Sequence, residues 1–229
     1  MKNKLKALIT LLLVALVVAG CGNSASDEER PSIEEAEAMT TEEFSGEVSA
    51  ENPIVIDEEN GVVKLYAEVN GRYFDESTRH LMVKEEGNNG GLSIFNTTAD
   101  QTAYHQALVL AGAEAGNNMS KDGDDTVSEG DRLGIKVDWE GSDGSVDIND
   151  AVIDSTGTNI DMRFTGNQAA ADEVYTGCIL CLDSCTVGVS SNAAQPLGAV
   201  EKAKSVEFYG NPDVLPEDGT PVVVTLEIM

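Results

Sequence analysis

Three cysteines fall within eight residues, Cys178, Cys181 and Cys185, in the spacing C-x2-C-x3-C. Thiolate sulfur is a soft, anionic donor, the kind that zinc and iron take. A fourth ligand must come from elsewhere, and the chain's two histidines, His80 and His105, are candidates beside an acid, water or an external thiol. The same thiols offer a second chemistry: Cys178 and Cys181 cycling between dithiol and disulfide, with Cys185 as resolving thiol. A third reading needs no chemistry at all, with one disulfide stapling a loop and one thiol left over. In a regular strand residues 178 and 181 point to opposite faces, so gripping one ion requires a turn near 181–185. A c-type haem is excluded, because no Cys-x-x-Cys-His occurs.

The elements that must position these residues read as mostly β. Short apolar runs at 53–56, 62–69 and 80–83 are separated by acidic or Gly-rich turns. Leu133, Ile135, Val137 and Trp139 alternate on one face, the clearest half-buried strand, with Trp139 as a core anchor. Residues 162–164, 174–182, 205–209 and 221–228 are further strand candidates. One main helix is expected at about 99–113, with Asn96, Thr97 or Thr98 as its cap and Asp100 in its first turn. The fold class that follows is α+β: a single β-rich domain, sandwich-like or of packed sheets, over residues 46–229.

The N-terminus carries an address. Lys2, Lys4 and Lys6 precede an apolar run from Ala7 to Gly20, broken only by Thr10. As a helix that run is about 21 Å long, short of a bilayer core of about 30 Å. Val18-Ala19-Gly20-Cys21 reads as a bacterial lipobox. Residues 1–20 are therefore expected to be a lipoprotein signal peptide, with Cys21 carrying the lipid. Residues 21–45, acidic and poor in aliphatics, are expected to be a flexible tether without a packed face. No twin-arginine pair is present, so export threads an unfolded chain. An iron–sulfur cluster would then have to be assembled outside, an obstacle zinc does not meet.

Charge narrows the partners. The formal net charge is −27, and losing Lys2, Lys4 and Lys6 with the signal peptide makes it −30. Nucleic acid is excluded as a partner, because phosphates are repelled. The acidic loops fail the EF-hand spacing: counted from Asp122, positions 6 and 12 are Val127 and Leu133, and from Asp138 they are Asp143 and Asn149. No Gly-x-Ser-x-Gly, His-Glu-x-x-His or P-loop occurs.

The order of segments resembles one family. Arg79-His80 is followed by Tyr104-His105 with the run to Asn118, then by a strand ending in Trp139. Phe164-Thr-Gly-Asn167, Tyr175-Thr-Gly-Cys178 with Cys181 and Cys185, and Leu215-Pro-Glu-Asp-Gly219 come after. This is similar to the YdjY family of bacterial extracytoplasmic proteins over residues 46–228. The resemblance implies export, and for members with the cysteine cluster a ferredoxin-like label that carries over only to Cys178, Cys181 and Cys185. A ferredoxin-type pattern has a fourth cysteine and a proline after the last one; here the fourth is missing and Thr186 follows Cys185.

The leading expectation is a lipid-anchored extracytoplasmic accessory protein, not an enzyme, that binds zinc or an iron–sulfur cluster or handles electrons through the three cysteines. It would sit on the bacterial cell membrane through its lipid, beside an envelope redox or membrane protein. The alternatives are an envelope interaction module with a structural disulfide, and a thiol–disulfide oxidoreductase. Replacing Cys21→Ser is expected to abolish fatty-acid labelling and leave the precursor uncleaved at Gly20. Mass spectrometry of the envelope fraction checks this, and lipid on the Ser variant would sink the lipobox reading.

Overall fold

The computed structural model describes residues 30–120 and 127–229. The expected signal peptide at 1–20, the expected lipid site Cys21 and the start of the acidic stretch at Asp122 lie outside the described residues. The strands are β1 (Ile54–Asp57), β2 (Val62–Val69), β3 (His80–Lys84), β4 (Ser93–Thr97), β5 (Leu133–Asp138) and β6 (Val146–Asp147), then β7 (Val152–Asp154), β8 (Met162–Phe164), β9 (Cys178–Cys181), β10 (Ser190–Asn192), β11 (Phe208–Gly210) and β12 (Pro221–Ile228). Among the described residues four α-helices accompany them, α1 (Ile33–Glu37), α2 (Gln101–Leu110), α3 (Ile148–Ala151) and α4 (Gln168–Val174), with one 3-10 turn at Gly71–Phe74. The α+β, β-rich single domain read from the sequence is the architecture observed.

One sheet dominates, in the order β6-β5-β12-β2-β4-β3-β9-β10-β8, with β1 added beside β2. Its last strand, β8, returns toward β5 near the other end. Arg132, just before β5, bridges Arg163 in β8, and the Phe164 N–H donates to the Asp131 carbonyl at 2.9 Å. The sheet therefore curls back on itself and encloses its core, which hides an edge that would otherwise be open to pairing. β7 and β11 form a separate two-stranded sheet.

The long strands show the expected alternation. In β5, Leu133, Ile135 and Val137 are buried and the residues between them half-buried. Trp139 lies just beyond that strand, half-buried against the core rather than anchoring it. The stretch 174–182 is not one strand: its first residues close α4 and turn, and only Cys178–Cys181 pairs. β4, a central strand, was not anticipated, because Ser93, Asn96 and Thr97 disguise it as a polar turn. Inside the sheet the Thr97 hydroxyl donates to the Tyr66 carbonyl, which satisfies it.

α2 is the expected main helix, shorter than 99–113. Its cap is Asp100, whose carboxylate accepts from the N–H groups of Thr102 and Ala103, and not Asn96, Thr97 or Thr98. Gln101, Thr102, Tyr104 and Gln106 are buried with its alanines and Leu108, so the helix is enclosed nearly all round. Asp100 also pairs with Lys84 at the end of β3, 3.3 Å away and largely buried, which ties the helix start to the strand that carries His80.

The expected tether up to residue 45 is corrected from Arg30 onward. Ser32 and Glu35 form a reciprocal capping box that starts α1. Ala36 is fully buried, and Phe44 is 4% exposed within the main core. The apolar residues here are few, but each lands against the body. Phe44→Ala is expected to destabilise the domain by about 3 kcal/mol, as buried Phe truncations do. Chemical denaturation checks this, and a change near zero would restore the tether reading.

Candidate metal centre

β3 and β9 run antiparallel, with His80 opposite Cys181, Met82 opposite Leu180 and Val83 opposite Cys178. The register shifts twice along this short ladder. Such a shift sets two successive residues on one face and breaks the two-residue alternation. Leu81 and Met82 both enter the main core, as do Ile179 and Leu180. What remains on the other side is His80 and Val83 from β3 with Cys178 and Cys181 from β9. Val83, Cys178, Cys181 and Cys185 form a small cluster of their own. The strand geometry expected to keep 178 and 181 apart is overridden by these paired irregularities.

His80 Nδ1 and the sulfurs of Cys178 and Cys181 all lie within 4.8 Å of one another. Nδ1 and the Cys178 sulfur are 3.4 Å apart. Cys185 packs with Cys178, Cys181 and Val83 in one small buried cluster. All three cysteines are free thiols and buried, and His80 is 9% exposed.

Each member is held by a specific local device. The Thr78 hydroxyl accepts from the His80 N–H and donates to the Leu92 carbonyl, pinning the start of β3. Gly177 precedes Cys178 with φ +76°, and a Cβ there would meet the Gly87 Cα at 2.9 Å, so only glycine fits without strain. Its N–H donates to the Gln101 side chain of α2. The turn that carries Cys185 is tied by Asn192, which donates to the Leu182 carbonyl, and by Asn167, which donates to the Cys185 carbonyl. At Gly188 a Cβ would lie 2.8 Å from the Cys181 sulfur, so any side chain there would push into the thiols.

The hydrogen bond from Cys181 holds the Cys178 thiol well below the ordinary thiol range, against the opposing effect of burial, and His80 adds to it. Cys181, hydrogen-bonded to both neighbouring sulfurs and fully buried, is pushed well above that range. Cys185 is lowered, first by its bond from Cys181. Asn89, from the loop between β3 and β4, donates to the Cys178 sulfur at 3.5 Å. Arg79 lies next to the cluster and interacts with the sulfurs of Cys181 and Cys185. Neither role was read from the sequence. Arg79 has a visible cue in its place before His80, whereas Asn89 sits in a run that reads only as a turn.

His105 does not join the site. Among the described residues the converging His/Cys group is His80, Cys178 and Cys181. His105 lies in α2 with its ring tilted on Phe164 at a centroid distance of 5.0 Å, and its buried Nδ1 has no hydrogen-bond partner. Desolvation pushes its pKa down from 6.5 to about 4. The folded state therefore holds this ring neutral while the unfolded chain protonates first. The stability it supports is complete above the unfolded pKa and falls away as pH drops from 6.5 toward about 4. His105→Leu is expected to flatten the stability profile in that window. Urea melts across it check this, and an unchanged slope would count against a buried neutral ring.

A family model described as the YdjY domain matches residues 54–227. A protein of Escherichia coli (strain K12), "Uncharacterized protein YdjY", is 38% identical over 225 residues, covering 97% of this chain and 95% of that one. No solved structure matches the chain.

Proposed function

This chain belongs to the YdjY domain family, and we propose that it binds one thiophilic divalent metal ion, zinc by preference, through His80, Cys178, Cys181 and Cys185. The observation that carries this reading is the convergence of an imidazole nitrogen and two sulfurs within 4.8 Å in a buried pocket, with a third thiol adjoining. A zinc ion holds sulfur at about 2.3 Å, so thiolates at the corners of its tetrahedron lie about 3.8 Å apart. The donors need only a small contraction to reach that spacing. A cubane iron–sulfur cluster spreads its thiolates over different irons, farther apart than donors sharing one ion, so these compact donors favour a mononuclear site.

Three cysteines and one histidine are a recognised closed zinc set. The surroundings suit it: the Asn89 amide faces the Cys178 sulfur, and Arg79 offsets thiolate charge. The reading extends, from the lipobox at Cys21, to a lipid-anchored accessory protein outside the cytoplasm, with the membrane reached through the lipid and an envelope redox or membrane protein as partner.

One observation favours a second reading. The sulfurs of Cys178 and Cys181 lie within 4.8 Å of each other as free thiols, close enough to exchange between dithiol and disulfide, with Cys185 beside them as resolving thiol. That chemistry requires the loop bearing Asn89 to lift, since Cys178 is 1% exposed.

Native mass spectrometry of the mature protein, purified anaerobically, tests the metal reading. One zinc per chain is expected, lost in Cys178→Ser and weakened about 10–100-fold or more in His80→Gln, since removing a ligand costs at least what removing a supporting contact does. Zinc at a thousandfold excess over its dissociation constant should stabilise the fold by about 4 kcal/mol. A metal-free mass short by two hydrogens would overturn this reading in favour of a disulfide.

A further inference from the structure

Resting on the metal reading above, we propose that Ser191 is a positioning residue of the centre, its hydroxyl being the hydrogen-bond donor to the Cys181 sulfur when that sulfur holds the ion. β10 runs parallel to β9, with Ser190 opposite Leu180 and Ser191 opposite Cys181. Successive residues of a strand face opposite ways. Leu180 enters the main core, and the Ser190 hydroxyl follows it there to meet the Tyr104 hydroxyl at 2.9 Å. Ser191 is therefore turned to the other face, the one that carries Cys181. Gly188 marks where the two meet. A Cβ on that glycine would stand 2.8 Å from the Cys181 sulfur and 3.2 Å from the Ser191 Oγ, so sulfur and hydroxyl flank one point. The Gly188 backbone is not in the left-handed region, and what glycine supplies here is room between them.

Ser191 is fully buried, and its Oγ has no hydrogen-bond partner among the described residues. A buried hydroxyl without a partner is destabilising, and folded proteins rarely keep one without a use. Its neighbours narrow what that use is. On one flank Ser191 lies opposite Arg163 of β8, whose guanidinium only donates and is engaged with Asp161 at 2.8 Å. On the other flank lies Cys181. Of the two side chains that flank Ser191 across the sheet, only the Cys181 sulfur offers an acceptor. A neutral thiol accepts weakly, whereas a metal-bound thiolate is charged and accepts strongly. A serine hydroxyl moves between staggered positions about one bond, so it gains this partner as the ion binds without a change of backbone. Asn89 gives the Cys178 sulfur a donor from the loop between β3 and β4, and Ser191 gives Cys181 one from β10. Ser191 touches no metal in this arrangement; it acts through Cys181.

Ser191→Ala removes only the oxygen, and its effect should change sign with the metal. In the full mature chain stripped by a chelator, the variant should melt at or above the wild-type temperature, because an unpartnered hydroxyl is lost. Zinc affinity should instead fall about 10–100-fold, the usual effect of losing a contact that orients a ligand. Cobalt(II) adds a readout that a purely structural serine would not move. A hydrogen bond lowers the energy of the sulfur lone pairs, so its loss should move the sulfur-to-cobalt charge-transfer band to longer wavelength. The band's intensity should hold, because the same sulfurs are bound. Ser191→Thr keeps the hydroxyl and should leave the band at its wild-type position. An unmoved band in Ser191→Ala overturns the proposal. So does a threonine band shifted as far as the alanine one, since packing and not the hydroxyl would then matter. Should threonine not fold in this buried place, the alanine comparison decides, and a variant destabilised equally with and without zinc overturns the proposal. A wild type that binds neither metal removes the metal reading itself, a result distinct from every variant outcome.

Discussion

The thiol site depends on two register shifts between β3 and β9. An ideal antiparallel pair alternates faces with a period of two, and residues three apart must then diverge. Here the period is broken once on each strand, so that Leu81–Met82 and Ile179–Leu180 each spend two successive side chains on the main core. The reward is apolar: four large side chains fill the enclosed interior. The consequence is polar: His80, Cys178 and Cys181 are left together on the opposite side. The hydrophobic demand of the core and the convergence of the donors are thus one constraint seen from two faces. A substitution that straightened either strand would disturb both.

Around that pair the structure is arranged to close the site. The Asn89 loop lies directly over the turn at Gly177, close enough that both chains need glycine where they cross. From the other side the Cys185 turn is drawn in by side-chain amides, Asn167 and Asn192, acting on backbone carbonyls. These are neutral groups and carry little charge of their own. Arg79 brings a formal cation to the sulfurs of Cys181 and Cys185, and its position is fixed by Asp183, a carboxylate placed between those two cysteines. In a chain with a net charge of −27, a half-buried arginine that interacts with the sulfurs of Cys181 and Cys185 is held there by its ion pair with the buried Asp183.

Much of this was legible in the sequence, for reasons that differ by element. β5 and β12 could be read because one face of each is buried and the other is not, so alternation survives. β4 could not, because its central position buries both faces and its Ser, Asn and Thr find partners inside the sheet. The cysteines announced a site by spacing alone, but how residues three apart on a strand could meet was invisible, since a bulge has no residue signature there. Of the two histidines the sequence treated alike, only His80 shares a strand pair with the cysteines. His105 faces Phe164 from α2, a distinction made by the sheet order and not by any local pattern. The segment from Arg30 to Ser45 was misjudged because its composition is that of a tether, while two well-placed residues, Ala36 and Phe44, suffice to seat it.

His80 gives the site its reach. Bonds among the cysteines alone would tie together a turn of a few residues and constrain little beyond it. The contact from His80 to Cys178 joins positions 98 residues apart. Closing a flexible loop of that length costs about 4 kcal/mol in chain entropy from the logarithmic term alone. In the folded protein this cost is met by the β3–β9 ladder and by α2, which is anchored to the end of β3 through Lys84 and Asp100. A bond from His80 to an ion that the cysteines also hold would reinforce that long-range closure in particular. Loading the centre would then stabilise the pairing of β3 with β9, and the integrity of that pairing would in turn decide whether the donors are assembled at all.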